Sequence, residues 1–253
     1  MTNRQCKILD VLTTRQKIEV AALAGMFSVS QVTIRKDLTV LEEQGLVRRE
    51  HGYASIDLGK GPGTCVAYNY NVKKRIAVRA AAAVEDGETV FIESDSICAL
   101  LAEELVNTGK DVTIVTNSVF IANHTPCAPN GKLILLGGFF EQESQVTVGP
   151  MTCKCGEIFF SDKFFLGVEG FSESFGFTGR DLVLAETIQS LSDQARNIIV
   201  LTESEKFKMP GVVGLLRADK VAAVYTDDEI PLRAENYLHK NDVEIQKVPR
   251  KAE

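Results

Sequence analysis

The stretch Val29-Ser30-Gln31-Val32-Thr33-Ile34-Arg35-Lys36-Asp37-Leu38, continued by Leu41-Glu42-Glu43-Gln44-Gly45-Leu46, leaves the first part of this chain few folds to choose from. Ser30 is a good N-cap, because its hydroxyl can accept a bond from an unpaired amide of the first helical turn. Ile34, Leu38 and Leu41 recur at helical spacing and mark an inward face. At about 100° per residue, Val32, Arg35, Lys36 and Thr39 point the other way, with Thr33 on the flank. Gly45 is placed to stop the helix. Upstream, residues 19–27 read as another short helix, and Ser28-Val29 leaves room for only a tight turn. Two short helices so joined, the second capped and carrying small polar and basic groups outward, predict a helix-turn-helix, a motif that binds DNA.

The next residues extend that motif. Leu46-Val47-Arg48-Arg49-Glu50-His51-Gly52-Tyr53-Ala54-Ser55-Ile56 has β-prone residues around a turn at His51-Gly52, which predicts a hairpin wing. Arg48, Arg49 and His51 then lie on or near that hairpin, suited to a phosphate strand or a minor groove. On the second helix Thr33 suits a thymine methyl, and Gln31 or Arg35 an adenine or guanine edge, while Ser30 and Lys36 suit phosphates. The plainer alternative is that Arg35 and Lys36 only solvate an ordinary helix; the adjoining wing argues against it.

Charge divides unevenly along the chain. The whole chain is at −6, but residues 1–53 hold eight Lys/Arg and six Asp/Glu, a net of +2, which leaves −8 for the remainder. A small basic head on an acidic body fits a regulator whose body is repelled by the duplex. A head of only +2 implies modest affinity from one copy, so a homodimer or homotetramer presenting two heads per operator is expected. No apolar run reaches the ~18 residues of a membrane span, and Met1-Thr2-Asn3-Arg4-Gln5-Cys6 lacks a signal-peptide core, so a cytoplasmic protein without membrane partners is expected. The six cysteines are scattered, only Cys153 and Cys155 stand close, and their spacing is wrong for a zinc knuckle. No metal or cofactor is expected.

A Gly/Pro cluster at 58–63 predicts a linker between a head at 1–57 and a domain at 64–253. Beyond it, residues 70–84 form a helix without a breaker, and short apolar runs then alternate with helical patterns. The runs are Thr89-Val90-Phe91-Ile92, Val112-Thr113-Ile114-Val115, Leu133-Ile134-Leu135-Leu136, Phe164-Phe165-Leu166-Gly167-Val168, Ile198-Ile199-Val200-Leu201, Val221-Ala222-Ala223-Val224-Tyr225 and Val243-Glu244-Ile245. Such runs between helices are what a parallel sheet covered on both faces demands, so an open α/β domain is predicted. Its ligand should lie beyond the strand carboxyl ends. Those ends are polar: Glu93-Ser94-Asp95-Ser96-Ile97, Thr116-Asn117-Ser118, Gly137-Gly138 and Thr202-Glu203-Ser204-Glu205-Lys206. The first opens a helix, where amides and the helix dipole favour a phosphate, and Lys206 is a candidate point charge for one.

Together these residues resemble the DeoR family of bacterial transcription regulators. The head carries Val29-Ser30-x-x-Thr33-Ile34-Arg35-x-Asp37-Leu38 and Leu41-Glu42-x-x-Gly45-Leu46-x-Arg48-x-x-His51-Gly52. The resemblance continues through Thr116-Asn117-Ser118, Leu136-Gly137-Gly138, Val148-Gly149-Pro150, Asp162-Lys163-x-Phe165-Leu166-Gly167-Val168-x-Gly170, Gly176-Phe177-Thr178 and Ser204-x-Lys206-Phe207. It implies a repressor of a carbohydrate operon, with a body similar to ribose-5-phosphate isomerase that senses a phosphorylated sugar. Carried across, Ser94, Asp95, Ser96 and Ile97 take the place of the phosphate loop, and Asn117, Ser118, Gly138, Asp162, Lys163, Gly170 and Lys206 line the rest. Two positions depart from the family pattern. Its phosphate turn often reads Asp-x-Gly-Thr-Thr, whereas residues 93–97 contain no glycine, and Tyr53 stands where a second wing glycine is common.

The rival reading is a working sugar-phosphate isomerase or hydrolase with a DNA-binding appendage. Glu169, Asp181 or Glu186 would supply the base and Lys163 or Lys206 the cation. Isomerases of similar fold carry an Asp-Gly-x-Asp element, which Gly167-Val168-Glu169-Gly170 reproduces poorly. Fold alone does not license catalysis.

Overall fold

A computed structural model describes residues 1–56, 62–125 and 131–250, which form two compact units, Met1–Asn71 and Val72–Glu253. Residues 58–61 of the expected linker lie outside the described residues, and Pro62 and Gly63 open a short helix.

In the first unit the order is α1 (Asn3–Arg15), β1 (Lys17–Glu19), α2 (Val20–Met26), α3 (Gln31–Glu43), β2 (Arg48–Glu50), β3 (Tyr53–Ser55) and α4 (Pro62–Ala67). Helix α3 begins where its cap predicts: the Ser30 hydroxyl accepts the Thr33 amide at 3.1 Å. It ends ahead of Gly45, whose φ of +68° breaks the helical run. Ile8, Leu9, Leu12, Leu23, Ile34, Leu38 and Leu41 are fully buried between the helices. Removing one such leucine side chain costs about 2–5 kcal/mol. The wing turns through His51 and Gly52, both at positive φ, which matches the twist of a tight hairpin. The sequence reading placed Glu19 in a helix; it instead closes β1, which pairs with β3 and makes the wing three-stranded.

Helix α5 (Tyr70–Ala82) leads into the second unit. There β4 (Thr89–Ile92), α6 (Ser96–Thr108), β5 (Thr113–Thr116), α7 (Val119–His124) and β6 (Lys132–Leu135) follow in turn. After the hairpin β7 (Phe139–Glu141) and β8 (Val146–Val148) come α8 (Pro150–Gly156), β9 (Ser161–Leu166), β10 (Gly170–Ser172) and β11 (Gly176–Gly179). The chain continues through α9 (Leu182–Ser192), β12 (Ala195–Leu201), β13 (Val213–Leu216), β14 (Ala223–Asp227), α10 (Leu232–Lys240) and β15 (Glu244–Val248). Seven of these strands form one parallel sheet in the order β15-β14-β12-β9-β4-β5-β6. The inner strands are buried along most of their length and the edge strands β6 and β15 are not, as a sheet covered on both faces requires. Strands β10, β11 and β13 form a second, antiparallel sheet that the sequence reading did not anticipate.

Strand order sets where a ligand can lie. From β4 the chain moves outward through β5 and β6, whereas from β9 it moves the other way through β12, β14 and β15. The connections after β4 and β9 therefore diverge and open a crevice at their carboxyl ends. Among the described residues no helix is long and apolar enough to cross a membrane.

Candidate functional site

Helix α3 presents one polar, solvent-facing side. Gln31, Arg35 and Lys36 are exposed and Thr33 is half-buried, while Ile34, Leu38 and Leu41 face the core. Asp37, on the inward side, is buried and held by Arg4 at 2.5 Å, which ties α3 to α1. Arg48 and His51 are exposed on the wing, and Arg48 lies 3.5 Å from Glu50. Arg49 is engaged differently. Its guanidinium meets Glu42 at 2.7 Å and Thr39 at 2.9 Å, and its amide donates to Glu42 at 3.0 Å. Arg49 thus fastens the wing to α3. The Ser30 hydroxyl is also committed, since it caps the helix and lies 2.9 Å from the Thr33 hydroxyl.

In the second unit, four of the expected polar turns follow the carboxyl ends of β4, β5, β6 and β12. Within the turn after β4, Glu93 is buried, and its carboxylate accepts the Ser94 hydroxyl at 2.5 Å and the Asp95 amide at 2.9 Å. It also accepts the Gly167 amide at 3.4 Å from the turn after β9. Asp95 caps α6 by accepting the Ile97 amide at 2.7 Å, and a Cβ on Gly167 would lie 2.1 Å from its carboxyl carbon. Gly167 is therefore the space in which Asp95 sits. Ser96 and Ile97 are buried in the first turn of α6.

Across the crevice, Lys206 reaches Glu169 at 2.7 Å, and Arg180 meets the same carboxylate at 3.0 Å. Glu203 forms a buried pair with Lys73 at 3.5 Å. Burial, then the charge of Asp95, pushes the Glu93 carboxyl up to about 7. Burial also raises Asp95 and Glu203, against the pull of Lys73 on both. Burial alone would lower Lys206, but the bond and charge of Glu169 outweigh it and raise its pKa. Buried charge of this density is a poor source of stability and a common mark of a binding site.

Other expected residues are placed less simply. Asn117 is buried, donates to the Thr147 carbonyl at 3.1 Å, and its Oδ1 has no hydrogen-bond partner. The buried Ser118 hydroxyl caps α7. A Cβ on Gly138 would lie 1.9 Å from the Thr152 hydroxyl, so this glycine admits α8 instead of holding a ligand. Gly170 similarly admits the backbone at Met209 and Gly211, where a Cβ would lie 2.2 and 2.6 Å from backbone atoms. Asp162 and Lys163 belong elsewhere. They open β9, where Asp162 accepts the Thr89 amide and Lys163 pairs with Glu88, at the amino edge of the sheet. All seven strands run in parallel, so the start of β9 is about a strand length, roughly 16 Å, from the crevice.

Of the groups in the rival catalytic reading, which needs one base and one cation, Glu169 and Lys206 meet at 2.7 Å and the others lie apart from them. Asp181 caps α9, Glu169 is paired twice, and Lys163 lies at the opposite edge. Lys73 was missed. Its signal is periodic: Lys73, Ile76, Ala77 and Ala80 share the buried stripe of α5, a face on which an unpaired lysine would be costly.

Residues 4–58 match the family model of the DeoR-like helix-turn-helix domain, and residues 68–228 that of the DeoR C-terminal sensor domain. Along 253 residues the chain is 26% identical to the glycerol-3-phosphate regulon repressor of Escherichia coli K12, covering 97% of this chain and 98% of that one. It is 28% identical to the L-fucose operon activator of the same strain, covering 89% and 94%. Among solved structures, the ribose-5-phosphate isomerase A of Methanocaldococcus jannaschii is similar over 55% of each chain, at 18% identity and a TM-score of 0.41. A probable sor operon regulator from Shigella flexneri is similar over 67% of this chain and 88% of that one, at 13% identity and a TM-score of 0.46.

Proposed function

The chain belongs to the DeoR family of DNA-binding transcription regulators, and from that membership we propose a repressor of a carbohydrate operon governed by a phosphorylated sugar. The winged head, through residue 57, binds the operator. Gln31, Thr33 and Arg35 meet base edges, Lys36, Arg48 and His51 meet phosphates, and Ser30 holds the start of the reading helix. Arg49 holds the wing in register. The body, from residue 64, binds the effector at the crevice between β4 and β9 through Asp95, Asn117 and Lys206. One similar protein is by name a repressor of a glycerol-3-phosphate regulon and another an activator of an L-fucose operon, which supports a carbohydrate effector.

The observation that carries this reading is the crevice itself. Glu93, Asp95, Glu169, Lys206 and Arg180 are gathered at the one place where the sheet order reverses. A ligand there favours whichever state it binds better, and so sets the population able to hold DNA. A homodimer or homotetramer supplies the paired heads that a two-fold operator needs. The test is a thermal-shift screen of the full chain against pentose, hexose and polyol phosphates, each beside its unphosphorylated parent. A ligand of the folded state raises Tm, by mass action. A phosphorylated member is expected to do so and to release the operator in a gel shift. If no member moves Tm, the effector reading fails.

A further inference from the structure

The turn after β4 is where a phosphate would be sought, yet four donors that face it are already used. The Ser94 hydroxyl and the Asp95 amide are both held by the Glu93 carboxylate, as is the Gly167 amide from the facing turn. The Ile97 amide is held by the Asp95 carboxylate. Two internal carboxylates thus fill the seat an anion would take at the start of α6, and Gly167 makes the room for one of them. A phosphate brought here would meet the Asp95 carboxylate and the Glu93 carboxyl and no free donor among these four. One strand over, in register with Ile92, Thr116 leads to Asn117, whose buried Oδ1 has no partner and calls for a donor. The cations lie on the other side of the crevice, where Lys206 and the exposed Arg180 share the single carboxylate of Glu169.

We propose that the effector lies across the crevice with its hydroxyl groups on Asp95, Glu93 and Asn117 and its phosphate on Lys206 and Arg180. This rests on the effector reading above and fixes the ligand's direction. Glu93, Asp95 and Asn117 offer acceptors, and sugar hydroxyls are donors. Lys206 and Arg180 offer donors and charge, which a phosphate dianion uses better than a carboxylate already shared between them. The turn after β4 therefore selects the sugar, and the cation pair selects for phosphorylation. Asp95 and Lys206 are the residues that set specificity.

Inorganic phosphate is the probe. It is titrated into the full-length protein and followed by phosphorus NMR line-broadening, with folding of each variant checked by its melting curve. The wild type is expected to bind it weakly. Lys206→Gln weakens that binding at least about fivefold, and Lys206→Arg retains it. Asp95→Asn, which keeps a good helix cap, tightens binding severalfold because a like charge is gone. Ser94→Ala and Ser96→Ala leave it within about twofold, the range of a neutral bystander. The proposal is overturned if either serine variant weakens phosphate binding while Lys206→Gln does not, because phosphate then sits in the β4 turn. It is also overturned if the wild type binds no phosphate at all. In the first case the effector reading stands with the ligand reversed; in the second it falls only if the sugar-phosphate screen is silent as well.

Discussion

Gly167 and Asp95 form one unit of packing, and the crevice is built around it. A Cβ on Gly167 would lie 2.1 Å from the Asp95 carboxyl carbon and 2.5 Å from its oxygen, and Asp95 is short and tied to the Ile97 amide, so it cannot step aside. Gly167→Ala is expected to cost about 2 kcal/mol by urea denaturation. In an Asp95→Gly background the same change should cost almost nothing, and an equal cost in both backgrounds would show that the clash lies elsewhere. Glu93 makes a second expectation, of pH. Its folded pKa of about 7 exceeds the ordinary 4.5, so the folded chain binds this proton more readily than the unfolded one. Its contribution is therefore complete below about pH 4.5 and is lost as pH rises through about 7, a change of ~3 kcal/mol. Urea midpoints at about pH 5 and about pH 8 should diverge in the wild type and converge in Glu93→Gln; equal slopes would place Glu93 in water. Residue by residue, the rim turns were legible because polar groups follow apolar runs. Asp162 and Lys163 were not, because a motif gives a position in the chain and not which end of a strand it occupies. Lys73 was hidden inside a helix, where only its stripe reveals it.

Helix α3 shows how local signals add up. Its cap, its apolar stripe and its stop at Gly45 agree with one another, and the helix forms over Gln31–Glu43 as the spacing predicts. Ser30→Ala is expected to lower the stability of the chain by about 1 kcal/mol through loss of the cap. Arg35→Ala, on the exposed face, should leave stability alone and cost roughly 1–3 kcal/mol of operator affinity in a gel shift. An unchanged shift would remove Arg35 from base reading. The wing turn was legible because His51-Gly52 suits positive φ at both positions, whereas β1 was not, since three residues carry no period. The seven parallel strands were legible as apolar runs. The antiparallel strands β10, β11 and β13 were missed because each carries glycine, which breaks the apolar run that marks the parallel strands.

At the scale of the whole molecule, two functions are divided between two units. Net charge follows the division, with +2 on residues 1–53 and −8 on the rest, so attraction to the duplex is concentrated in the head. One head of that charge holds DNA modestly, which is why paired heads are part of the account. The most direct test is footprinting of the intact protein, at low salt, on the DNA flanking its own gene. Two protected half-sites are expected, their centres about one helical turn apart, lost in Arg35→Ala and released by the sugar phosphate that raises Tm. Absence of any protected site on that DNA would contradict this.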